Sequence, residues 1–371
     1  MRVLMQMDAT GYSVPGGHRR QMDKTAEYLG RLGVCIDVSS DPNADISNYD
    51  LVHCFATPGA FVRNAKHQCK PVALSPIYWS TDFFLNYARI RGPWAARHAE
   101  WVGRIRVAAA VLVQGRQALP RQVGFWIKHA EQSYTYRCAD VLLPNARAEG
   151  NDLVRECGVD PARVHFVPNA VEAEAQDASP DPFYQQYNVR DFVLCVGRVE
   201  PRKNQLRLIR ALRGSGMFLV IVDPVHPDHA DYRAQCRREM GKDALYVQSL
   251  SNDMLKSAYA AARVHALPSF FETTGLVSLE AALQGCNVVA NDQPHTREYF
   301  EDMAWYCNPA DPRSIRQAIE AAFQAPFKSE LCDHILDNYT WEHTARATLK
   351  GYQSTLASGS SMRTEAMESR I

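Results

Sequence analysis

Short apolar runs alternate with stretches of helical periodicity along the first half of the chain. The runs are typical of strands buried on both faces of a parallel sheet, and the periodic stretches predict the helices that cover it. The predicted strands are Val3–Met7, Val34–Val38, Asp50–Phe55, Pro71–Ser75, Val141–Leu143 and Val164–Val167, and the predicted helices are Arg19–Leu32, Ala60–Ala65 and Ala146–Cys157. This order of elements predicts an α/β domain.

The second half repeats the same alternation. The predicted strands are Phe192–Val196, Met217–Val222, Ala244–Val247, Val264–Leu267, Val288–Ala290 and Ala304–Tyr306, with helices that include His229–Met240, Asn252–Ala261 and Pro312–Phe323. Between the halves, Val171–Asn188 has no steady periodicity and holds Pro180 and Pro182, which indicates a linker. We therefore expect two parallel-sheet domains, 1–175 and 191–338, joined by a linker at 176–190.

The end of the chain lacks the alternation of strands and helices that the two domains show. Trp341–Tyr352 follows the spacing of an amphipathic helix, which we place at 339–357. The last residues, 358–371, are polar, and we expect a frayed tail there.

Composition excludes several classes of protein. The chain has 371 residues, 46% hydrophobic, with a formal net charge of zero, so no overall positive field favours nucleic acid. The longest uninterrupted apolar run, Val107–Val113, is too short to span a bilayer, and Arg2 and a strand follow Met1 without an apolar signal segment. The ten cysteines include no CxxC pair, which favours reduced thiols in the cytoplasm over disulfides or a zinc site.

The stretch from Ser269 to Asn291 carries two carboxylates, Glu272 and Glu280. A small-residue turn, Thr273-Thr274-Gly275, separates them from a helix that begins near Leu276. The turn therefore offers the free N–H groups of a helix start to an anion, while the carboxylates can accept hydrogen bonds from sugar hydroxyls. An ordinary helix start with a favourable acidic residue fits the same pattern.

A second stretch, Phe192–Arg213, places Gly197-Arg198 directly after a buried strand and Lys203 in the loop before the next helix. Open α/β sheets present phosphate sites at such carboxyl ends of strands, and Arg and Lys match the charge of a diphosphate. Solvated surface cations are the simpler interpretation of either residue taken alone.

Together the two stretches resemble the retaining glycosyltransferases of family four, which have the GT-B fold. The matching residues are Gly197-Arg198-x4-Lys203 and Pro268-Ser269-x2-Glu272-x2-Gly275-Leu276-x3-Glu280-Ala281-x3-Gly285, with Gly16-Gly17, Val167-Pro168-Asn169 and Tyr339-Thr340-Trp341 elsewhere. The resemblance implies two Rossmann-like domains that face each other across a cleft. It also implies that 1–175 binds the acceptor, that 191–338 binds the donor, and that the final helix crosses back to the first domain.

Roles for individual residues also follow from the resemblance. Arg198, Lys203 and Glu272 are the expected catalytic residues: the cations neutralise the leaving diphosphate, and Glu272 accepts hydrogen bonds from the donor sugar. Glu280 is expected to bind the ribose hydroxyls. The remaining donor-binding residues are expected to be Gly16, Gly17, Gly197, Gln248, Thr273, Thr274, Gly275 and Leu276.

The acceptor side of the site departs from the family pattern. Many relatives carry a histidine in the loop after the fourth strand, whereas this chain has Tyr78 and Trp79 there. These aromatic rings can stack on an acceptor sugar or close the edge of the core. His53, at the end of the third strand, is the other acceptor-side candidate, although a histidine there is often only a packed residue.

The segment 86–129 is strongly basic, with Glu100 as its only acid. Trp94, Trp101 and Ile105 follow helical spacing, with arginines largely off that stripe. Such a helix can lie on an anionic membrane surface, although packing on its own domain with a solvated basic face is commoner. We therefore consider a peripheral location on the inner face of the membrane.

The resemblance implies an enzyme that moves a hexose-like sugar from a nucleoside-diphosphate sugar to a hydroxyl of a glycan or lipid-linked acceptor, and the chemistry of the two stretches fits that activity. Cell-surface polysaccharide or lipopolysaccharide assembly is the expected setting. Retention is implied by the resemblance, and we expect a front-face reaction without a metal or other cofactor. No D-x-D motif supports the metal-dependent GT-A alternative.

Other functions fit parts of the same pattern. A nucleotide-sugar epimerase or phosphorylase of this architecture could use a similar cleft. A dinucleotide oxidoreductase fits the alternating sheet, but Gly16-Gly17 lacks the G-x-G-x-x-G spacing. A binding module without catalytic activity is the remaining alternative.

Overall fold

A computed structural model of the chain describes residues 1–9, 11, 16–56, 59–80, 119–173, 178–224, 226 and 228–368, with backbone alone at 119–128 and 358–368. It divides into two compact units. The first unit comprises Met1–Pro168 and Glu342–Ile371, and the second comprises Asn169–Trp341. Most of the basic segment, residues 86–118, lies outside the described residues, so the predicted membrane contact stays a prediction.

The first unit is built on a parallel sheet. Its strands are β1 Arg2–Gln6, β2 Cys35–Ser39, β3 Leu51–Phe55, β4 Val72–Ser75 and β5 Val141–Leu142, in the order β2-β1-β3-β4-β5. Its helices are α1 Gly17–Arg31, α2 Gly59–His67, α3 Leu119–Cys138 and α4 Arg147–Cys157, followed by a 3-10 turn at Pro161–Arg163. All strands run parallel, as the alternation of elements predicts.

The strand predicted at Val164–Val167 is wrong. Val164 makes only an isolated bridge to Leu142, although the N–H of Val167 reaches the carbonyl of Pro144 at 3.0 Å. Pro144 has no backbone N–H to donate to the neighbouring segment, so the regular pairing of a parallel ladder ends there.

The second unit contains a larger parallel sheet. Its strands are β6 Phe192–Val196, β7 Leu219–Asp223, β8 Ala244–Gln248, β9 Ala262–Leu267, β10 Asn287–Asn291 and β11 Trp305–Cys307, in the order β11-β10-β9-β6-β7-β8. Its helices are α5 Asp181–Tyr187, α6 Gln205–Leu212, α7 Ala230–Glu239, α8 Asn252–Ala261, α9 Leu276–Leu283, α10 Pro294–Phe300, α11 Pro312–Gln324 and α12 Ser329–Asn338. Along β6, Val193 and Cys195 join one core cluster while Phe192, Leu194 and Val196 join another. The continuous apolar run is therefore buried on both faces.

The segment expected to be a linker, 176–190, contains helix α5. Its Phe183 is fully buried, packs against Phe192 with ring centroids 5.4 Å apart, and donates its backbone N–H to Ser257 Oγ at 3.0 Å. The helix therefore belongs to the core of the second unit. The buried side chain of Phe183 anchors the helix in this core, although the segment as a whole shows no helical periodicity.

The strand order locates the switch point of the second sheet. From β6 the chain proceeds through β7 and β8 on one side, and it then returns to β9 and continues through β10 and β11 on the other. The loops after β6 and β9 therefore leave the same edge of the sheet side by side. Ligands of open α/β sheets bind at this position.

The C-terminal helix, α13 Trp341–Glu368, begins where the second unit ends, and its residues from Glu342 onward group with the first unit. Thr344 Oγ1 donates to the carbonyl of Pro168 at 2.7 Å, and the Tyr352 hydroxyl lies 2.6 Å from His53 Nδ1 on β3. The crossing back predicted from the resemblance is confirmed. The helix also continues through Glu368, where a frayed tail is expected. No helix in the described part of the chain is long and apolar enough to cross a membrane.

Candidate functional site

Two loops of the second unit meet at the switch point: residues 197–204 after β6 and residues 268–275 after β9. Hydrogen bonds join them directly. The N–H of Phe270 donates to the carbonyl of Arg202 at 2.8 Å, and Asn204 Nδ2 donates to the carbonyl of Pro268 at 3.0 Å. The two motifs, which lie far apart in the sequence, are therefore joined in the structure.

The first loop begins at Gly197, whose φ of +140° is a conformation that residues with a side chain rarely adopt. A Cβ at this position would lie 3.1 Å from Cδ and 3.3 Å from Nζ of Lys203. Gly197 thus lets the Lys203 side chain pass close to the backbone. The next turn is fixed from β7, because Asp223 Oδ1 accepts the N–H of Val199 at 3.0 Å.

Lys203 and Glu272 form the centre of the cluster, with Lys203 Nζ 3.1 Å from Glu272 Oε2. Arg202 Nη1 lies 3.4 Å from the same oxygen, and the Ser269 hydroxyl donates to it at 3.4 Å. Burial opposes ionisation of the carboxyl, but the charges of Lys203 and Arg202 outweigh burial and lower the pKa of Glu272 below its ordinary value. Glu272 is therefore ionised and paired.

A second carboxylate, Glu200, extends the cluster. It accepts from Arg202 Nη2 at 2.6 Å, and Arg198 Nη2 lies 3.7 Å from its other oxygen. The three cations and two carboxylates of the cluster leave one net positive charge. Arg198 is 41% exposed, whereas Lys203 is 12% exposed, and among the described residues of the cluster Arg198 contacts Glu200.

The second loop leads into helix α9. Gly275 precedes the helix with φ +75° and, as a glycine, supplies no side-chain cap to the first N–H groups of the helix. Thr274 is buried beside it, while Thr273 and Leu276 are half-buried. A Cβ at Gly275 would lie 3.4 Å from Glu272 Cγ, which places this helix start next to the Lys203–Glu272 pair.

Two other predicted donor residues lie further away in the unit. Glu280 is half-buried on α9, and its Oε2 accepts a hydrogen bond from the Tyr259 hydroxyl at 3.2 Å. Gln248 ends β8, which β7 separates from β6, and its side chain is exposed. The structure thus brings Gly197, Lys203, Glu272 and Gly275 together, but it does not bring Gln248 into the cluster.

Of the candidates in the first unit, Gly16 and Gly17 are exposed, whereas His53 and Tyr78 are buried. Gly16 and Gly17 are exposed at the start of α1, in the loop that follows β1. One turn later the Gln21 side chain donates to Asn145 Oδ1 at 2.7 Å, in the interior. Gly16 and Gly17 therefore lie where a ligand can reach the backbone.

His53, one of the residues expected on the acceptor side, lies in the interior of the first unit. The side chain is 1% exposed, its ring nitrogens contact Tyr352 and Ser75, and burial lowers the pKa of the imidazole to about 3. Tyr78 is also buried, with its hydroxyl donating to Glu156 at 2.7 Å, so its ring closes the edge of the core. Trp79 is half-buried.

Three charged residues that hold loops in the two units were not predicted from the sequence: Arg202, Asp223 and Glu149. Arg202 stands next to Lys203 and is almost as buried, with side-chain exposures of 14% and 12%, and no local pattern distinguishes the roles of the two cations. Glu149, on α4, accepts the N–H groups of Tyr78 at 2.5 Å and Asn145 at 2.7 Å. Burial raises the pKa of the Glu149 carboxyl to about 7 against the effect of these bonds, with a contribution from Asp152.

Comparison with protein families gives a match within the second unit. Residues 182–338 match the family Glycosyl transferases group 1. A D-inositol 3-phosphate glycosyltransferase from Nocardioides sp. is 27% identical over 256 residues, which cover 59% of this chain and 54% of that protein. The chain spans about half the length of the first curated relatives that it matches.

Solved structures extend the likeness to the fold of the whole chain. Sucrose-phosphate synthase from Thermosynechococcus elongatus superposes with a TM-score of 0.74 at 16% identity and covers 96% of this chain and 99% of its own. Anabaena HepE in complex with UDP-glucose has a TM-score of 0.60 at 15% identity, and each chain is covered fully. The GT-B fold that the resemblance implies is thereby confirmed.

Proposed function

We propose that this chain, whose residues 182–338 match the glycosyl transferases group 1, is a retaining glycosyltransferase that uses a nucleoside-diphosphate sugar. The observation that carries the proposal is the cluster of Lys203, Glu272 and the start of α9 at the switch point of the second sheet. The likeness of the fold to a protein that holds UDP-glucose supports the choice of donor class. The acceptor is a hydroxyl of a glycan or lipid-linked molecule.

The donor diphosphate binds between the cationic loop and the first turn of α9. Lys203 exchanges its Glu272 partner for a phosphate oxygen, and Arg198, which is more exposed, turns to the same group. The uncapped N–H groups after Gly275 add the positive end of the helix dipole. This charge stabilises the leaving diphosphate most when negative charge develops on it, which is the condition for catalysis.

The two carboxylates of the motif bind hydroxyls. Glu280, held by Tyr259 at 3.2 Å, accepts hydrogen bonds from the ribose. Glu272 accepts them from the donor sugar. With both carboxylates engaged in binding, neither is available as the nucleophile of a double displacement, which needs a carboxylate pair about 5 Å apart across the scissile bond.

The transfer therefore proceeds on one face of the sugar. The acceptor oxygen bonds to the anomeric carbon as the bond from that carbon to the phosphate oxygen breaks. The departing phosphate oxygen takes the acceptor's proton, and the nucleoside diphosphate leaves. The side-chain cations supply the charge stabilisation, so the proposed mechanism uses no metal.

The test is a release assay with UDP-glucose, GDP-mannose and ADP-glucose, each with and without mixed glycan and lipid-linked acceptors. We expect acceptor-dependent release of one nucleoside diphosphate and a product that keeps the anomeric configuration by proton NMR. Consumption without an acceptor indicates an epimerase or phosphorylase instead. An inverted product contradicts the retaining mechanism.

A binding module without activity is the second candidate, because residues 75–80 contain no histidine and the Tyr78 hydroxyl is already bonded to Glu156. Saturable binding of a nucleotide sugar without turnover, over all acceptors tried, favours that module.

We place the enzyme on the inner face of the membrane, in assembly of a cell-surface polysaccharide or lipopolysaccharide, because of the basic segment 86–129. Co-sedimentation with anionic vesicles that weakens with salt supports this location. Equal recovery with neutral and anionic vesicles contradicts it.

A further inference from the structure

We propose that Arg202 is a positioning residue that fixes the orientation of Glu272 toward the donor sugar. This inference rests on the proposed function, since it concerns how the same site distinguishes a nucleotide sugar from its nucleoside diphosphate. Arg202 itself contacts neither phosphate nor sugar in this account. It acts through Glu272.

The contacts of the Glu272 carboxylate are one-sided. Among the described residues, Lys203, Arg202 and Ser269 all reach Oε2, at 3.1, 3.4 and 3.4 Å. Oε1 is the oxygen that these contacts leave to accept hydrogen bonds from a ligand. A carboxylate held by one oxygen presents the other in a defined direction, which is what recognition of a sugar hydroxyl requires.

Arg202 can hold Glu272 without help from Lys203. Its side chain is only 14% exposed, and it donates to Glu200 Oε1 at 2.6 and 2.9 Å and to the carbonyl of Phe271 at 2.7 Å. These bonds fix the guanidinium in both loops. When Lys203 turns to the diphosphate, Arg202 and Ser269 therefore keep Oε2 engaged, and Glu272 does not become an unpaired buried charge.

The planar guanidinium is essential to this arrangement. It has several N–H groups in a fixed fork, so it can bond to Glu200, Phe271 and Glu272 at once. A lysine has one ammonium nitrogen, which cannot reach partners on opposite sides of the fork. Arg202→Lys therefore retains the charge and loses the geometry.

The experiment measures two dissociation constants by calorimetry for each variant. The ligands are the nucleotide sugar that the release assay selects and its nucleoside diphosphate, and the quantity compared is the ratio of their affinities. We expect Arg202→Met to lower the preference for the nucleotide sugar by roughly tenfold or more, since a charged hydrogen bond is misdirected. Arg202→Lys is also expected to lower the preference for the nucleotide sugar, and it replaces the methionine variant in the test if that variant does not fold.

Arg198→Met is the matched control, because it removes one loop cation that does not contact Glu272. We expect it to weaken both ligands equally and to leave the ratio unchanged. Arg202→Met added to Glu272→Gln should change the ratio no further, because the effect of Arg202 passes through that carboxylate.

Two results overturn the inference. If Arg202→Met and Arg202→Lys weaken both ligands by the same factor, Arg202 only stabilises the loops. If the effects of Arg202→Met and Glu272→Gln on the ratio add, Arg202 acts independently of Glu272. Failure of the proposed function looks different: the wild-type protein then either binds neither ligand of any pair or binds a nucleotide sugar without releasing its nucleoside diphosphate to any acceptor.

Discussion

Lys203 and Glu272, 69 positions apart in the sequence, form a 3.1 Å ion pair where the loops after β6 and β9 meet. The pair compensates the charge of a partly buried cation. Under the proposed function, a diphosphate takes Lys203 from Glu272 and so gains a positioned cation rather than a mobile surface charge. The predictions below follow from this exchange and from the residues that hold the two loops.

Removal of the central cation should abolish most of the catalytic rate. For Lys203→Met we expect turnover to fall by roughly a hundredfold, because one stabiliser of the leaving diphosphate is lost. The release assay measures this, and Lys242→Met, an exposed lysine in the turn before β8, is the control. Arg198→Ala should show a loss of the same order. Near-normal turnover in either variant would remove that residue from the phosphate site.

The conformation of Gly197 predicts a different failure. In Gly197→Ala the new Cβ meets the Lys203 side chain at 3.1 Å in a backbone region unfavourable to alanine, so Lys203 must move. We expect a stability loss of about 1–3 kcal/mol in urea unfolding, together with weaker binding of the nucleoside diphosphate.

Gly285→Ala provides the control for that variant. Gly285 also has positive φ, +90°, but beyond its chain neighbours no atom of the described residues lies within 4 Å of its added Cβ. We expect similar destabilisation with unchanged nucleotide binding. Equal binding losses in both variants would show that strain alone accounts for the effect.

The hydrogen bond from Tyr259 to Glu280 predicts a ribose-specific effect. Tyr259→Phe removes the hydroxyl that donates to the carboxylate at 3.2 Å and lets Glu280 turn. We expect roughly 2–10-fold weaker binding of the nucleoside diphosphate in calorimetry. The 2′-deoxy form, which lacks one hydroxyl, should lose less. Identical losses for both nucleotides would contradict the ribose role of Glu280.

Glu149 predicts a pH dependence of stability in the first unit. Burial raises its folded pKa to about 7 from an unfolded value of 4.5, so the folded state binds the proton more strongly. Stability from this group is therefore complete below the unfolded pKa and is lost as pH rises through about 7, by about 3 kcal/mol in total.

Glu149→Gln should remove that slope. We would measure urea unfolding of both proteins between about pH 5 and about pH 8, where other carboxylates remain ionised. The difference in free energy of unfolding between the two proteins should change across this range. A constant difference would show that Glu149 titrates outside it.

Much of the second unit follows from local pattern. The bounds of β6 and α8 agree with those predicted, because an apolar run buried on both faces and a serine-capped helix are determined by nearby residues. The meeting of Lys203 with Glu272 was also predictable, since parallel strands bring their carboxyl ends to one edge. The sequence did not predict that Arg202, rather than Arg198, is the more buried arginine, because the position of Arg202 depends on its contacts with Glu200, Phe271 and Glu272 together.

The first unit shows the limit of residue type as a guide. His53 and Tyr78 have side chains suited to a site, but their surroundings in the fold place them in the interior. Tyr352, which contacts His53, is 299 positions away, and no local pattern indicates that contact. The spacing of apolar residues predicted the helices and most strands of the first unit. It did not predict which polar residues are buried, because that depends on tertiary packing.

The proposed function depends most on where the diphosphate binds. The direct measurement is a crystal structure with the nucleoside diphosphate that the release assay identifies. The proposed function predicts phosphate oxygens within hydrogen-bond distance of Lys203 Nζ and of the first N–H groups of α9, with Lys203 no longer paired to Glu272. A diphosphate bound elsewhere, with the Lys203–Glu272 pair intact, would contradict it.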